Sequence, residues 1–306
     1  MVKGVFMTKA EPGYNDLPEQ RYHFPEAYLA RAEAMVGDWI VYYEPRRPST
    51  DLMSRGGRSA YFATAKVERI YPDPVQPDHR YAEVSGYLEF SRAVPFAENG
   101  KYYESALQKA DGSTNRGAFG HSVRVMSDLE FDEIWRVGFG HVLGLEPRPR
   151  PNKGVPEQPL APDDGDEPFE VDRPIVDQMV SRPFRSRAFS ASLKRAYGDT
   201  CAITGLKLIN GKGRSEVQGA HIRPVEDRGP DSVRNGLALS GTVHWMFDRG
   251  LISIEDDYSL LIAEGMLPDA AIRLIRPERR LLLPTNPAEW PHRQFLDYHR
   301  KNKFKG

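Results

Sequence analysis

The chain has 306 residues, of which 40% are hydrophobic and 28% are charged, a composition typical of a folded globular protein. Cys201 is its single cysteine, which excludes an internal disulfide and a zinc site built from Cys-X-X-Cys pairs. The sequence shows no apolar signal segment and no run of membrane-spanning length, so we expect a reducing cytoplasm and no membrane partner.

The net charge of −1 is unevenly distributed along the chain. Residues 1–150 carry −2, residues 151–181 carry −6 and residues 182–306 carry +7. A basic C-terminal third is typical of a domain that binds phosphates, although scattered surface Lys and Arg would give the same total.

Residues 1–147 are predicted to form a β-rich domain. Alternating β-branched and aromatic residues predict strands at 2–7, 39–43, 59–70, 81–90 and 121–125. Short helices are expected at 26–35 and 128–137. Several strands with few helices indicate a small, curled β-barrel.

Two segments of this domain carry a resemblance to a known family. Gly37-Asp38 leads into the strand at 39–43, and Gly57-Arg58 is followed by the strand residues 61–67. These segments are similar to PUA-like domains of the EVE and SRA kind. Such domains bind a flipped, often modified base, so the resemblance implies a base pocket on the barrel.

Aromatic and basic residues of the domain are candidates for contacts with DNA. An aromatic-lined pocket suits a flipped base because base stacking contributes roughly 1–3 kcal/mol. The candidates for the modified-base pocket, each with barrel core as the alternative, are Tyr22, Phe24, Trp39 and Tyr43. The candidate phosphate contacts in the polar loop after the predicted strand at 39–43, or simply solvated side chains, are Arg46, Arg47 and Arg58.

The composition changes after residue 147. Residues 148–182 are rich in proline and contain the acidic run 163–167. This composition predicts a semi-stiff linker that does not fold by itself. A second domain is then predicted at residues 183–306.

The second domain is predicted to combine helices with short strands. Helical segments are expected at 185–197 and from an N-cap at Thr242 to Gly250. Strands are expected at 217–222, 237–239 and 251–254, and the Gly- and Pro-containing residues 226–235 are predicted to form a loop. Cys201 is predicted to be a packed, small apolar residue.

Four polar residues follow these elements in a regular order. His221 ends the first strand of the domain, Asn235 ends the loop, and His244 and Asp248 share one face of the next helix because they are four residues apart. Together with the surrounding segments 217–224 and 244–248, they resemble the HNH, or ββα-metal, nuclease motif. Segments 281–284 and 290–300 resemble the closing strand and helix of the HNH subfamily found in restriction enzymes, so a strand and a helix are expected there.

This resemblance implies a role for each residue. His221 would be the general base, Asn235 would brace the loop and orient that histidine, and His244 and Asp248 would bind a divalent ion. Arg223 is a candidate phosphate contact. The expected ion is Mg²⁺ or Mn²⁺, with Ni²⁺, Co²⁺ or Zn²⁺ as alternatives. Many family members have a metal-binding Asp or His where this chain has Ala220.

The two resemblances together predict an α+β chain with an N-terminal PUA-like curled β-barrel and a C-terminal HNH domain. The implied function is a bacterial, type IV-like restriction endonuclease that reads a modified cytosine in double-stranded DNA by base flipping. A homodimer is an option for cutting both strands. The alternatives are a repair or structure-specific HNH nuclease, and a non-catalytic nucleic-acid-binding protein with a degenerate HNH domain, which Ala220 would favour.

Overall fold

The computed structural model describes residues 2–8, 17–45, 59–140, 142–143, 181–211 and 213–306. The chain divides into two compact units, Met1–Gly140 and His141–Gly306. Each unit has its own cluster of buried hydrophobic residues.

The N-terminal unit is built on one six-stranded sheet. Its strands are β1 (Gly4–Met7), β2 (Arg21–Pro25), β3 (Trp39–Glu44), β4 (Ala60–Pro72), β5 (His79–Pro95) and β8 (Val123–Val125), and a separate small hairpin consists of β6 (Ala97–Glu98) and β7 (Lys101–Tyr102). The strand order in the sheet is β2-β5-β4-β3-β1-β8. β1 pairs with β3 in parallel, and the other neighbouring strands are antiparallel.

Irregular pairing curls this sheet. The register between β4 and β5 shifts at three places between Tyr61 and Arg69, and such bulges bend a strand and increase its twist. The hydroxyl of Tyr22 on edge strand β2 lies 2.8 Å from the Met7 carbonyl oxygen and 3.1 Å from that of Ser122. Tyr22 therefore links one edge of the sheet to the β1–β8 edge, and the sheet forms a curled half-barrel.

Three helices of the described N-terminal residues lie beside the sheet. They are α1 (Leu29–Glu33), α2 (Arg116–Phe119) and α3 (Asp128–Gly138). α3 begins with a capping box, in which Ser127 and Glu130 each accept a hydrogen bond from the other's backbone N–H. Phe131 and Trp135 lie on its buried face, and the helix packs on β5, where Gly138 lies against the Phe90 ring. A mixed α+β unit with a curled sheet is confirmed, and its assignment as PUA-like stays a prediction.

The C-terminal unit consists of short hairpins covered by helices. Its described helices are α4 (Arg182–Ala196), α5 (Gly241–Asp248), α6 (Asp269–Ile272) and α7 (Arg293–Asn302). Its hairpins are β9 (Gln218–His221) with β10 (Gly236–Leu239), and β11 (Ile252–Ile254) with β12 (Leu260–Ile262).

The β9–β10 hairpin lies at the centre of the C-terminal core. α4 crosses it so closely that a Cβ atom on Gly236 would lie 2.7 Å from the Phe189 ring and 2.8 Å from Leu193. Ala220 and Leu237, which face each other in the hairpin, are fully buried. Cys201 is also fully buried in this core, as predicted.

Two predicted features of this unit are wrong. The helix cap is Ser240 rather than Thr242, because the helix begins two residues earlier than predicted, at Gly241. Residues 281–284 form no strand: the Leu281 N–H donates to the Tyr258 carbonyl, whereas the Leu282 N–H donates to that of Ala202. The apolar run therefore joins two different segments instead of pairing along one. In the part of the chain that the structure describes, no helix has the length and hydropathy needed to span a membrane.

Candidate active site

The β9–β10 hairpin positions the first predicted site residue. His221 is the last residue of β9 and pairs with Gly236, the first residue of β10. Pro224 follows closely and has no N–H with which to continue the ladder, so the chain leaves the hairpin as a loop. His221 consequently stands where the strand ends and the loop from residue 222 to residue 235 begins.

Asn235 ties the two ends of this loop together. Its side-chain oxygen accepts a hydrogen bond from the Arg223 N–H at 2.9 Å, and its side-chain nitrogen donates to the carbonyl oxygens of Arg223 and Pro230, both at 2.9 Å. The residue is fully buried. A buried amide with three satisfied contacts fixes the path of the loop beside His221.

The His221 ring is held from two directions. Its face stacks on the Phe189 ring of α4, with 3.8 Å between centroids and 9° between the planes. In the plane of the ring, Nε2 lies 2.9 Å from Oδ1 of Asp231. The side chain is 23% exposed, so one edge of the ring remains accessible to solvent.

Asp231 is a buried carboxylate that the sequence did not reveal as part of the site. Its other oxygen accepts from Nε and Nη2 of Arg185 on α4, at 2.8 and 2.5 Å. Burial raises its pKa, but the hydrogen bond with His221 and the charge of Arg185 outweigh that effect, and the net shift is downward. Asp231 therefore stays ionised at neutral pH.

Helix α5 carries the other predicted pair. The side chain of Ser240, the N-cap residue, makes no capping hydrogen bond to the first turn of this helix. The Gly241 N–H instead donates to Oε1 of Glu216 at 2.9 Å. His244 and Asp248 lie one turn apart on this helix, with 3.4 Å between Nε2 and Oδ2. Asp248 is 56% exposed, so its carboxylate can reach a ligand from solvent.

Gln218 orients the His244 ring from the neighbouring strand. Nδ1 of His244 lies 2.9 Å from Oε1 of Gln218, and with this oxygen as acceptor Nδ1 carries the proton. The lone pair is then on Nε2, the atom that faces Asp248. A histidine that binds a metal commonly donates its other N–H in this way.

Two side chains of helix α5, His244 and Asp248, are suited to hold part of the ligand set of a divalent ion. A histidine nitrogen and a carboxylate oxygen on one helix face are suitable ligands. Ala220 is fully buried and supplies no third ligand, and among the described residues no three His, Cys, Asp or Glu side chains come together. His244 and Asp248 thus fit an ion whose remaining ligands are water and phosphate oxygens.

Arg223, a predicted phosphate contact, is engaged within the unit. Its Nε donates to the Asp227 carbonyl oxygen at 2.7 Å, and its guanidinium lies 4.8 Å from the centroid of the Tyr298 ring. The side chain is half-buried, so a contact with phosphate would have to be made by the guanidinium nitrogens that face outward.

The predicted base-pocket residues are buried in the N-terminal unit. Tyr22 and Phe24 pack against Phe6, and Tyr22 stacks on it with 4.4 Å between ring centroids. Trp39 is 4% exposed and Tyr43 is fully buried. The three loop arginines proposed to contact phosphate, Arg46, Arg47 and Arg58, lie outside the described residues.

Residues 201–255 match the family model of the HNH endonucleases. Curated protein sequences give no match. Among solved structures, the chain is similar to the modification-dependent TagI restriction endonuclease, at 16% identity and a TM-score of 0.31, over 97% of this chain and 80% of that one.

A second solved structure is the type IV phosphorothioation-dependent restriction endonuclease ScoMcrA. Its identity is 12% and its TM-score 0.19, over 79% of this chain and 49% of that one. At these TM-scores neither likeness bears on the activity of this chain.

The matched family segment contains all four motif residues, His221, Asn235, His244 and Asp248. It also covers the hairpin, the loop and helix α5 that position them. The chain therefore carries an HNH endonuclease domain at residues 201–255, and its enzymatic class is that of a nuclease.

Proposed function

We propose that the chain is a modification-dependent DNA endonuclease, in which residues 1–147 read a modified cytosine and residues 183–306 cut the DNA. The observation that carries the cutting role is the placement of His221. Its ring stands at the end of β9, stacked on Phe189 and hydrogen-bonded to Asp231, with one edge open to solvent. A fixed, accessible imidazole suits proton transfer near neutral pH.

The reaction follows from this placement. His221 takes a proton from a water molecule as the water oxygen bonds to phosphorus, and the bond from phosphorus to the 3′ oxygen breaks. General-base catalysis of this kind contributes roughly 10²–10⁴-fold. A divalent ion held by His244 and Asp248 would neutralise charge on the phosphate and on the leaving oxygen.

The reading role is proposed for the curled sheet of the N-terminal unit, taken as a PUA-like fold. Among the candidate pocket residues, Tyr43 has the surroundings that best suit a hydrogen bond to a base. Its hydroxyl is buried beside the Ser59 side chain, whose own hydroxyl donates to the Pro45 carbonyl oxygen at 2.9 Å.

The Tyr43 hydroxyl is suited to hydrogen-bond a base edge. Burial raises its pKa to about 12, so it stays protonated and can donate. Tyr22, Phe24 and Trp39 would then shape the pocket by packing, since their rings contact the core. Specificity for a base would come from such edge contacts rather than from phosphates.

The test of this function is a digestion with matched substrates. One duplex is prepared in four forms, carrying cytosine, 5-methylcytosine, 5-hydroxymethylcytosine or glucosylated 5-hydroxymethylcytosine, and each is incubated with the full chain and Mg²⁺ or Mn²⁺. We expect cleavage of at least one modified form and none of the unmodified duplex. Equal cleavage of all four forms would instead support a repair or structure-specific nuclease.

A further inference from the structure

Asp231 occupies a place in the C-terminal unit that the HNH residues alone do not explain. It lies in the loop between residues 222 and 235, whose path is fixed by Asn235. The next residue, Ser232, is fully buried and accepts a hydrogen bond from the Arg234 N–H at 3.2 Å. The loop is thereby braced on both sides of Asp231, and its 5%-exposed carboxylate is directed inward at His221.

We infer that Asp231 is a positioning residue that selects the tautomer of His221 and so determines which nitrogen acts as the base. An ionised carboxylate has no proton to donate, so the hydrogen must lie on Nε2 of His221, 2.9 Å away. The lone pair of the neutral ring is then on Nδ1. The inference rests on the proposed function, in which His221 is the general base.

Two contacts together make this orientation the stable one. Stacking on Phe189 at 3.8 Å fixes the plane of the ring, and the carboxylate of Asp231 fixes its direction within that plane. A half-turn of the ring about the Cβ–Cγ bond would keep the stack but would lose the hydrogen bond to Asp231. The buried carboxylate would then lack one of its partners, which is unfavourable for a buried charged group.

Arg185 keeps Asp231 ionised, so that Asp231 can also balance the charge of protonated His221. Its two nitrogens occupy the carboxylate oxygen that His221 does not use, at 2.8 and 2.5 Å. The positive charge keeps Asp231 from taking the proton itself. When His221 accepts a proton from water at Nδ1, the resulting imidazolium lies beside a carboxylate that balances its charge.

The tautomer can be measured directly in the wild-type chain. Nitrogen NMR on ¹⁵N-histidine-labelled full-length protein distinguishes Nε2–H from Nδ1–H rings, and loss of one signal set in His221→Gln assigns the resonance. We expect the neutral His221 ring to carry its proton on Nε2. An Nδ1–H ring in the wild-type chain would overturn the inference, and this outcome does not depend on any Asp231 variant folding.

Asp231→Asn tests the consequence for activity. Arg185 needs an acceptor, so the new amide would turn its oxygen to Arg185 and its NH₂ group to Nε2 of His221, which must then accept. We expect the Nδ1–H tautomer and a loss of kcat on the order of 10²–10⁴-fold, with DNA affinity changed by less than about threefold.

Asp227→Asn is the matched control, because Asp227 lies in the same loop but pairs with Lys303 at 3.0 Å. It should cut at close to the wild-type rate. An Asp231→Asn variant that retains the Nε2–H tautomer, or that cuts within about threefold of wild type, would refute the positioning role. If His221→Ala cuts normally, the proposed base is wrong, while the wild-type tautomer still reports on the Asp231 contact.

Discussion

At the residue scale, the proposed metal-binding pair, His244 and Asp248, depends on Gln218 as much as on its own spacing. The i, i+4 arrangement brings Nε2 of His244 within 3.4 Å of the Asp248 carboxylate. The contact from Gln218 to Nδ1, at 2.9 Å, determines which nitrogen of His244 is free to bind an ion. Such supporting contacts typically change metal affinity by about 10–100-fold.

Metal binding by the variants of this pair can be predicted. Asp248→Ala should lower the affinity for Mn²⁺ in calorimetry on the full chain by about tenfold or more, and Gln218→Leu should lower it by a smaller factor. Cleavage by Asp248→Ala should recover in part at high metal concentration. Asp256→Ala is the control, because Asp256 pairs with Arg300 at 2.6 Å outside the site. Unchanged Mn²⁺ binding in both His244→Ala and Asp248→Ala would exclude this ligand pair.

The sequence singled out the candidate site residues that follow a local spacing and missed those whose contacts arise from tertiary packing. His244 and Asp248 share a helix face, and His221 ends a strand before a proline. Phe189 and Arg185, in contrast, come from a helix more than thirty residues earlier, and no spacing rule relates a helix to the loop it will cover. Their contacts depend on tertiary packing alone.

At the element scale, the closing helix α7 supports the helix that carries the proposed ligands. His299 of α7 stacks on Phe247 of α5, with 3.9 Å between centroids and 8° between planes. Its Nε2 donates to the Phe247 carbonyl oxygen at 3.3 Å, and its Nδ1 lies 2.9 Å from the Ser253 hydroxyl. At the end of α5, Gly250 has φ of 70°, and a Cβ atom there would lie 1.9 Å from the Lys303 carbonyl oxygen.

The packing of His299 against Phe247 should make the unfolding free energy of the C-terminal unit depend on pH. Burial lowers the pKa of His299 to about 4, below the ordinary value of about 6.5. The unfolded chain then binds a proton that the folded chain does not, so the stabilisation is complete above about pH 6.5 and is lost as pH falls towards 4. Lowering the pH from 7 to 5 should reduce the unfolding free energy by about 2 kcal/mol through His299 alone.

The pH effect is tested with a variant that cannot be protonated there. Urea denaturation of wild type and His299→Gln, each at pH 7 and pH 5, gives the difference in unfolding free energy between the two proteins. That difference should shrink by about 2 kcal/mol at pH 5, because only wild type loses stability through this group. An equal difference at both pH values would show that His299 does not titrate as predicted.

The helices and strands that were predicted best are those that depend on a single local sequence pattern. The strands β3 and β9 and the helix α3 lie close to their predicted bounds, because the residue types that favour a strand or a helix there act locally. The error at Thr242 arose because Ser240 and Thr242 are both good caps, and Glu216, from a distant segment, satisfies the Gly241 N–H. The apolar run at 281–284 resembles a strand, but its backbone partners belong to two separate segments.

At the scale of the whole molecule, charge divides the chain in the way the proposed function requires. Residues 182–306 carry +7 and residues 1–150 carry −2. The HNH domain lies in the basic part, where attraction to DNA phosphates gives affinity without sequence preference. We therefore propose that preference for modified DNA comes from residues 1–147 and that residues 148–182, most of which lie outside the described residues, connect the two.

The most direct test of the account separates DNA binding from DNA cutting in the full chain. His221→Ala removes the proposed base but leaves the N-terminal unit untouched, so it is compared with wild type on modified and unmodified duplexes, with binding and cleavage measured in parallel. We predict that the variant binds modified DNA within about threefold of wild type and cuts it at least about 100-fold more slowly. Cleavage by His221→Ala within a few-fold of wild type would contradict the account.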